Sequence, residues 1–380
     1  MKIIIGGDIA PTETNYDFFS HGDISGLNGK DLENLINEVD YRIYNLEIPI
    51  TDKTEKLRKS GPNLSAPLDT INGVLAFQPD LVTMANNHCM DSGWEALQQT
   101  RKLLENKKVN VVGVGKDKTE ASKPYIADVK GYKVGIYACT ENSFSIATEW
   151  NGGANRFDPL YSLDHIQELS GKCDYTIILF HGGKVGYQYP SPEIQNVCRR
   201  MIDKGASLVV LQHSHCIGCC EKYKNGTIIY GQGNFVFDYK DDENELWNNG
   251  LLLEVEIEKE KNSINFIPIV KTGNTVRKAQ ADEAIKILEE FYHRTEEIKD
   301  KDFVYDIYAK YAERMAFQLF QRMMGTAVNN KIFFIINFLT KGKIWNRILN
   351  TSQRLLIWEY LSCESINEVL RRGIITDKRK

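Results

Sequence analysis

The sequence predicts a layered α/β fold followed by an α-helical extension, on three observations. Over residues 1–275, short β-rich runs alternate with helical patterns, as expected where helices cover sheets. Five of the runs end directly on residues able to bind a metal. From Ala281 onward no convincing strand pattern follows, and apolar residues recur at helical spacing.

In chain order the strand candidates are residues 2–6, 41–46, 80–85, 109–114 and 132–139, then 175–180, 208–212, 227–230, 251–257 and 265–270. Between them Leu32, Leu35, Ile36 and Val39 keep helical spacing, as do Leu97, Leu103 and Leu104. Ser92 and Glu95 have the S-x-x-E form of a capping box. The last two strand candidates flank the charged connector 258–262 and read as a closing antiparallel hairpin. Residues 284–298, 303–324 and 352–371 are amphipathic and helical. The expected division is a domain over 1–275 and a helical extension over 276–380.

Bulk properties narrow the function. At net charge −4 the chain has no basic excess to neutralise phosphates, which argues against a nucleic-acid partner. Eight scattered cysteines do not read as a disulfide framework. The apolar run Ile3–Ile5 is short for a signal peptide, and no stretch reaches the roughly 20 apolar residues of a membrane span. A cytoplasmic location with reduced thiols is therefore expected. Residues 331–345 mix bulky apolar side chains with lysines. They fit an interfacial helix giving peripheral membrane contact, or a helix packed on the first domain or on a second subunit.

The chemistry sits at the strand ends. IIIGG runs into Asp8, YRIYNL into Glu47, LVTMAN into Asn87 and His88, TIILF into His181, and SLVVLQ into His213 and His215. Loops after the carboxyl ends of strands share one edge of an open α/β sheet, so these residues should converge. Glu47 can bridge two cations, with Asp8, Asn87 and three imidazoles filling the other positions. Mixed oxygen and nitrogen ligation suits two divalent ions of Mn, Fe or Zn. Two such ions about 3.5–4 Å apart activate water and stabilise attacking and leaving oxygens. His88, whose neighbour Asn87 coordinates, is free for general acid catalysis.

GDIAP, NLEIPIT, KSGPNLSAP, ANNHCMDSGWEAL, VVGVGKD, FHGGK, HSHCIGCCEKY and YGQGNFVFD occur in this order. In them the chain resembles the CapA family of capsule-biosynthesis proteins, a branch of the calcineurin-like metallophosphoesterases. The resemblance covers Met1 to about Asp238 and implies a metallophosphoesterase-like α/β/β/α sandwich. It gives Asp8, Glu47, Asn87, His181, His213 and His215 the metal positions and His88 the acid position. Ala10 stands where metallophosphoesterases have the histidine of D-x-H, so one metal site is expected to be weak. Glu47 stands in place of an aspartate, and Val185 and Gly186 where an acidic residue is common.

Lys59 and Ser60 are candidates for an anionic substrate, or else a solvated turn. Tyr187 is a further substrate-binding candidate, and Asn234 either orients a ligand or caps its own backbone. Cys216 and Cys219 form a C-x-x-C without a second pair, which reads as buried structural thiols. The expected function is a metal-dependent hydrolase of a phosphoester or a γ-glutamyl amide in capsule or exopolysaccharide metabolism. Its substrate would be an anionic polymer, a phosphoester or a peptide-like molecule, and its partners capsule-synthesis proteins. The alternative is a non-catalytic accessory protein of polymer synthesis that keeps the fold.

Overall fold

The computed structural model describes residues 1–59, 61–238, 245–258 and 262–323, then 335–336, 338–341, 343, 347, 350–363 and 366. Met1–Tyr305 form one compact unit, and a second begins at Asp306. The strands are β1 (Lys2–Ala10), β2 (Tyr41–Leu46), β3 (Leu81–Thr83), β4 (Asn110–Val112), β5 (Val114–Gly115), β6 (Tyr125–Val129), β7 (Tyr132–Thr140) and β8 (Gly153–Ala154). They continue as β9 (Tyr175–His181), β10 (Leu208–Gln212), β11 (Cys220–Tyr223), β12 (Gly226–Ile229), β13 (Asn234–Phe237), β14 (Asn249–Ile257), β15 (Asn262–Thr272) and β16 (Thr275–Lys278). The helices are α1 (Tyr16–His21), α2 (Ile24–Glu38), α3 (Ile71–Ala76), α4 (Gly93–Glu105) and α5 (Lys118–Ala121). After them come α6 (Ser162–Ser170), α7 (Pro192–Asp203), α8 (Ala281–Glu297), α9 (Lys301–Met323) and α10 (Thr351–Ser362).

Two sheets carry the first unit. One runs β16-β15-β14-β1-β2-β3-β4, with β13 also pairing β1, and the other runs β11-β12-β10-β9-β7-β6. Successive side chains of a strand point to opposite faces, and here both faces are buried. Ile3 and Ile5 of β1 meet Val134, Ile136, Ile177, Leu179 and Val210 between the sheets. Ile4, one residue over, packs instead with Leu32 and Ile36 of α2. On the outer face of the second sheet, Ile178, Phe180, Val209 and Leu211 pack with Ile166, Leu169, Cys198 and Met201 of α6 and α7. This is an α/β/β/α sandwich. Burial on both faces is why its central strands read as unbroken apolar runs.

The hairpin β14–β15 is antiparallel, in register from Asn249↔Val270 to Ile257↔Asn262, as expected. Other expectations change. Ser92 is the N-cap of α4, but at φ −110, ψ 25 its side chain makes no capping bond, because the extended backbone that aims an N-cap oxygen is missing. A capping box occurs instead at α8, between Gln280 and Glu283. The first unit also passes residue 275, where the sequence pattern changes. β16 pairs with β15, and α8 places Ile287 and Phe291 in the cluster between the sheets. Arg294 of α8 donates to the Gly218 carbonyl at 2.8 Å. Of the residues read as helical in sequence, Met324 and most of 364–371 lie outside the described residues, as do 331–334, 337, 342 and 344–345 of the apolar-basic segment.

Candidate metal centre

β1, β2 and β3 are parallel to one another, as are β9 and β10 in the other sheet, so within each sheet these carboxyl ends share an edge. Asp8 lies in β1, Glu47 and Asn87 just beyond β2 and β3, His181 at the end of β9, and His213 and His215 beyond β10. Three of the six thus come from each sheet. Local backbone chemistry sets the rim. β13 pairs alongside β1 with Asn234 opposite Asp8, and a side chain at Gly7 would strike the Gly233 carbonyl. Gly233 itself has φ +75, a conformation glycine adopts without strain. His213 and His215 have φ of 89° and 52°, strained positions for residues with a Cβ, and such strain gathers at functional sites.

The six side chains converge. Ligand atoms of Glu47, His213 and His215 all lie within 4.8 Å of one another. His181 Nε2 is 2.9 Å from Asn87 Oδ1, 3.2 Å from His213 Nδ1 and 3.7 Å from Glu47 Oε1. His215 Nε2 is 3.9 Å from Glu47 Oε1, and its Nδ1 is 3.5 Å from Asp8 Oδ2. His215 Nδ1 is also 2.8 Å from Asn234 Oδ1. Assigning the Nδ1 proton to that bond leaves Nε2 turned toward Glu47.

The electrostatics are those of a site built for cations. Burial keeps His181 far below the ordinary imidazole range and pushes His213 down to about 3. It also lowers His215, against the pull of Asp8. Burial raises Asp8, and burial together with Asp8 raises Glu47 well above the usual carboxylate range. Both Glu47 oxygens are buried without a hydrogen-bond partner. A buried carboxylate without donors is costly, and one among three neutral imidazoles is a donor set suited to a divalent ion. The residues present fit such ions.

Residues outside the expected set organise the site. Asn45 donates to Asp8 Oδ1 at 2.7 Å. Asn86 donates to Asn45 Oδ1 at 3.1 Å and accepts from the backbone of His88 and Cys89, which shapes the turn carrying Asn87. Asp91 is buried and lies 2.6 Å from His88 Nδ1. It also accepts from Lys59 Nζ and from Leu64 N. The Lys59 side chain is 5 % exposed, so Lys59 itself is not a solvated side chain. His88 lies close enough to His181, His213 and His215 for a charge on it to disfavour their protonation. On the far side of His213, Nε2 lies 3.7 Å from Glu141 Oε1. Trp247 packs on the His215 ring with centroids 4.2 Å apart.

Of the remaining candidates, Tyr187 is buried with its ring 6.1 Å from Tyr189, and Ser60 lies outside the described residues. Cys216 and Cys219 are free and buried. Burial raises the Cys216 thiol to about 11 and the Cys219 thiol well above its ordinary range, which disfavours the thiolate that metal binding needs.

This layered sandwich with carboxylate, amide and imidazole groups at its strand ends has the form the sequence motifs imply, and the family can be stated. The chain belongs to the bacterial capsule synthesis protein family PGA_cap, whose model matches residues 2–239. It is 29 % identical over 208 residues to the capsule biosynthesis protein CapA of Bacillus anthracis, covering 52 % of this chain and 51 % of that one. It is 26 % identical over 211 residues to the PGA biosynthesis protein CapA of Bacillus subtilis, covering 54 % and 56 %. The chain thus spans about half the length of the curated relatives it matches. Among solved structures it is similar to a hypothetical protein of Thermus thermophilus at TM-score 0.46 and 14 % identity, covering 72 % of this chain and 100 % of that one. It is also similar to a 5'-nucleotidase precursor of the same organism at TM-score 0.40 and 14 % identity, covering 77 % and 58 %.

Proposed function

We propose that this chain is a metal-dependent hydrolase of capsule-polymer metabolism, acting on a phosphoester or a γ-glutamyl amide. The observation that carries the reading is the Glu47 carboxylate, buried without a donor beside histidines kept neutral by burial. Glu47, Asn87, His181 and His213 would hold one divalent ion, and Asp8, Glu47 and His215 a second, looser one. Bound there, such ions would supply the positive charge that polarises the scissile bond and activates water.

The chain's own residues do the rest. His88 gives a proton from Nε2 to the departing oxygen or nitrogen while Asp91 holds its Nδ1–H. Lys59 serves as a positioning residue, because its ammonium is committed to Asp91 and ties its loop to the acid. Asn234 orients His215 by accepting from Nδ1. Tyr187, buried against Tyr189, has no role in the scheme.

A second reading, an accessory protein that binds polymer without cleaving it, has support in Ala10, which leaves the second ion short of an imidazole. One experiment separates the two: metal analysis beside turnover of phosphoesters and γ-glutamyl peptides. His181→Ala should empty the fuller position. His88→Ala should keep its metal and lose about 10²–10⁴-fold in turnover. Metal loss in the His88 variant would show that His88 has been given the wrong role. Metal without turnover in the wild type would favour the accessory reading, and a wild type that takes up no Mn²⁺ or Zn²⁺ would overturn the hydrolase.

A further inference from the structure

Helix α8 lies beyond the segment that the family model matches, which ends at residue 239, yet it bonds to both loops that carry the histidines. Residues 213–219 join β10 to β11 and hold His213 and His215, and residues 182–191 follow His181 at the end of β9. In the first loop, the Arg294 guanidinium donates to the Gly218 carbonyl at 2.8 Å and to the Ile217 carbonyl at 3.3 Å. Thr295, the next residue of α8, accepts from the Cys220 amide at 3.0 Å. In the second loop, the Tyr189 hydroxyl donates to Glu297 at 2.6 Å. Gln188 ties the two loops together by donating to the Ile217 carbonyl at 3.0 Å.

Burying Arg294 is a poor way to gain stability. Its side chain is 10 % exposed, while Glu290, 3.9 Å away, is 54 % exposed, and a buried charge is often replaced by apolar residues without loss. What a guanidinium supplies is direction, because its rigid fork reaches two neighbouring carbonyls at once. Direction is needed here. His213 and His215 sit at positive φ, and strained residues persist only where their surroundings over-determine them. We infer that Arg294 is a positioning residue, and that α8, through Arg294 and the Tyr189–Glu297 bond, holds both histidine loops in place. That this serves a divalent ion rests on the proposed metal site, whereas the hold on the loops does not.

The test sets Arg294→Met and Arg294→Lys beside Glu283→Gln, which loosens the start of α8 at Arg277 and Gln280. In metal-free full chain, Arg294→Met should raise hydrogen exchange across 213–219 while the central strands keep their protection. Competition with a chelator should find Mn²⁺ held about tenfold or more weakly, and the Co²⁺-loaded variant should show a changed ligand-field spectrum. Arg294→Lys keeps the charge without the fork and should recover only part of both. Tyr189→Phe, which deletes one hydroxyl, should loosen 182–191 in the same way and decides the matter if Arg294→Met does not fold. Glu283→Gln should melt earlier yet leave loop exchange and metal affinity as in wild type. Metal affinity that simply follows melting temperature across the variants would overturn the inference, as would wild-type exchange over 213–219 in Arg294→Met. A wild type that takes up neither Mn²⁺ nor Co²⁺ would sink the hydrolase instead. Exchange alone would then decide the positioning role: a rise confined to the loops upholds it, and a rise spread over the sandwich, or none, rejects it.

Discussion

At the candidate centre, protons and a divalent ion would compete for the same atoms. Folded His213 titrates near 3, against about 6.5 for an unperturbed histidine. Between those values the unfolded chain binds protons that the folded chain refuses. This contribution to stability is therefore present above about 6.5 and is lost as pH falls toward 3. Asp8 and Glu47 act the other way, because burial raises them and their charged forms weigh against the folded state as pH rises. A divalent ion would favour neutral imidazoles and ionised carboxylates together. The rise in Tm on adding Mn²⁺ should therefore be larger at pH 8 than at pH 5, and calorimetry in buffers of different ionisation enthalpy should find protons released. An equal rise at both pH values would count against a centre at these residues. A second prediction concerns Glu141, about a third exposed beside the outer nitrogen of His213. Carboxylates there orient metal-binding histidines, so Glu141→Gln should weaken metal affinity about 10- to 100-fold, measured by competition with a chelator. The six converging residues were legible because each sits at or just past an apolar strand run. Asn45, Asn86, Asp91 and Glu141 were missed because they act on other side chains, which strand-end position does not reveal. One signal was present at Asn45, an amide within the mostly apolar YRIYNL.

At the scale of elements, α8 joins the first unit through its start. Glu283 closes the capping box with Gln280 and pairs with both terminal nitrogens of Arg277 in β16, at 2.7 and 2.8 Å. Those bonds hold its carboxyl down to about 2. A lowered carboxylate stabilises the fold above its unfolded value near 4.5 and loses that effect as pH falls through the folded one. Glu283→Gln should therefore melt below wild type at pH 6, and the gap should close as pH drops toward 2. A gap that stays constant down to pH 2 would show that the carboxylate is not what stabilises this corner. The central strands were legible for the same reason that they are stable, since both faces are apolar. β11 was not, because its sequence CEKY carries two charges, and β6 exposes alternate residues. β13 has only four residues directly after Gly231 and Gly233, too few for a period to show. It nonetheless carries Asn234 to His215.

For the whole molecule, the extent of the first unit decides what can be cut away. Removal of everything after residue 275 would strip β16 and α8 from the sandwich and uncover the cluster that Ile287 and Phe291 complete. Such a chain should aggregate or melt early. A chain ending at Tyr305 should keep the melting transition of the first unit and its metal content. Scanning calorimetry of the two shows whether the division drawn from the sequence at 275 or the structural one at 305 marks the folding unit. The compact unit runs on to Tyr305, past the change of pattern near 275, because helical periodicity reports that a helix forms and not what it packs against.

The even split of metal-facing residues between the two sheets has a consequence for how the protein is made. Neither sheet alone offers more than half of the donors, so the site comes into being only once both sheets have formed and met. An ion held by all six residues would therefore bind a chain whose two sheets have already met. If the proposed ions bind there, a chain deprived of metal would keep both sheets and lose only what the ions supply.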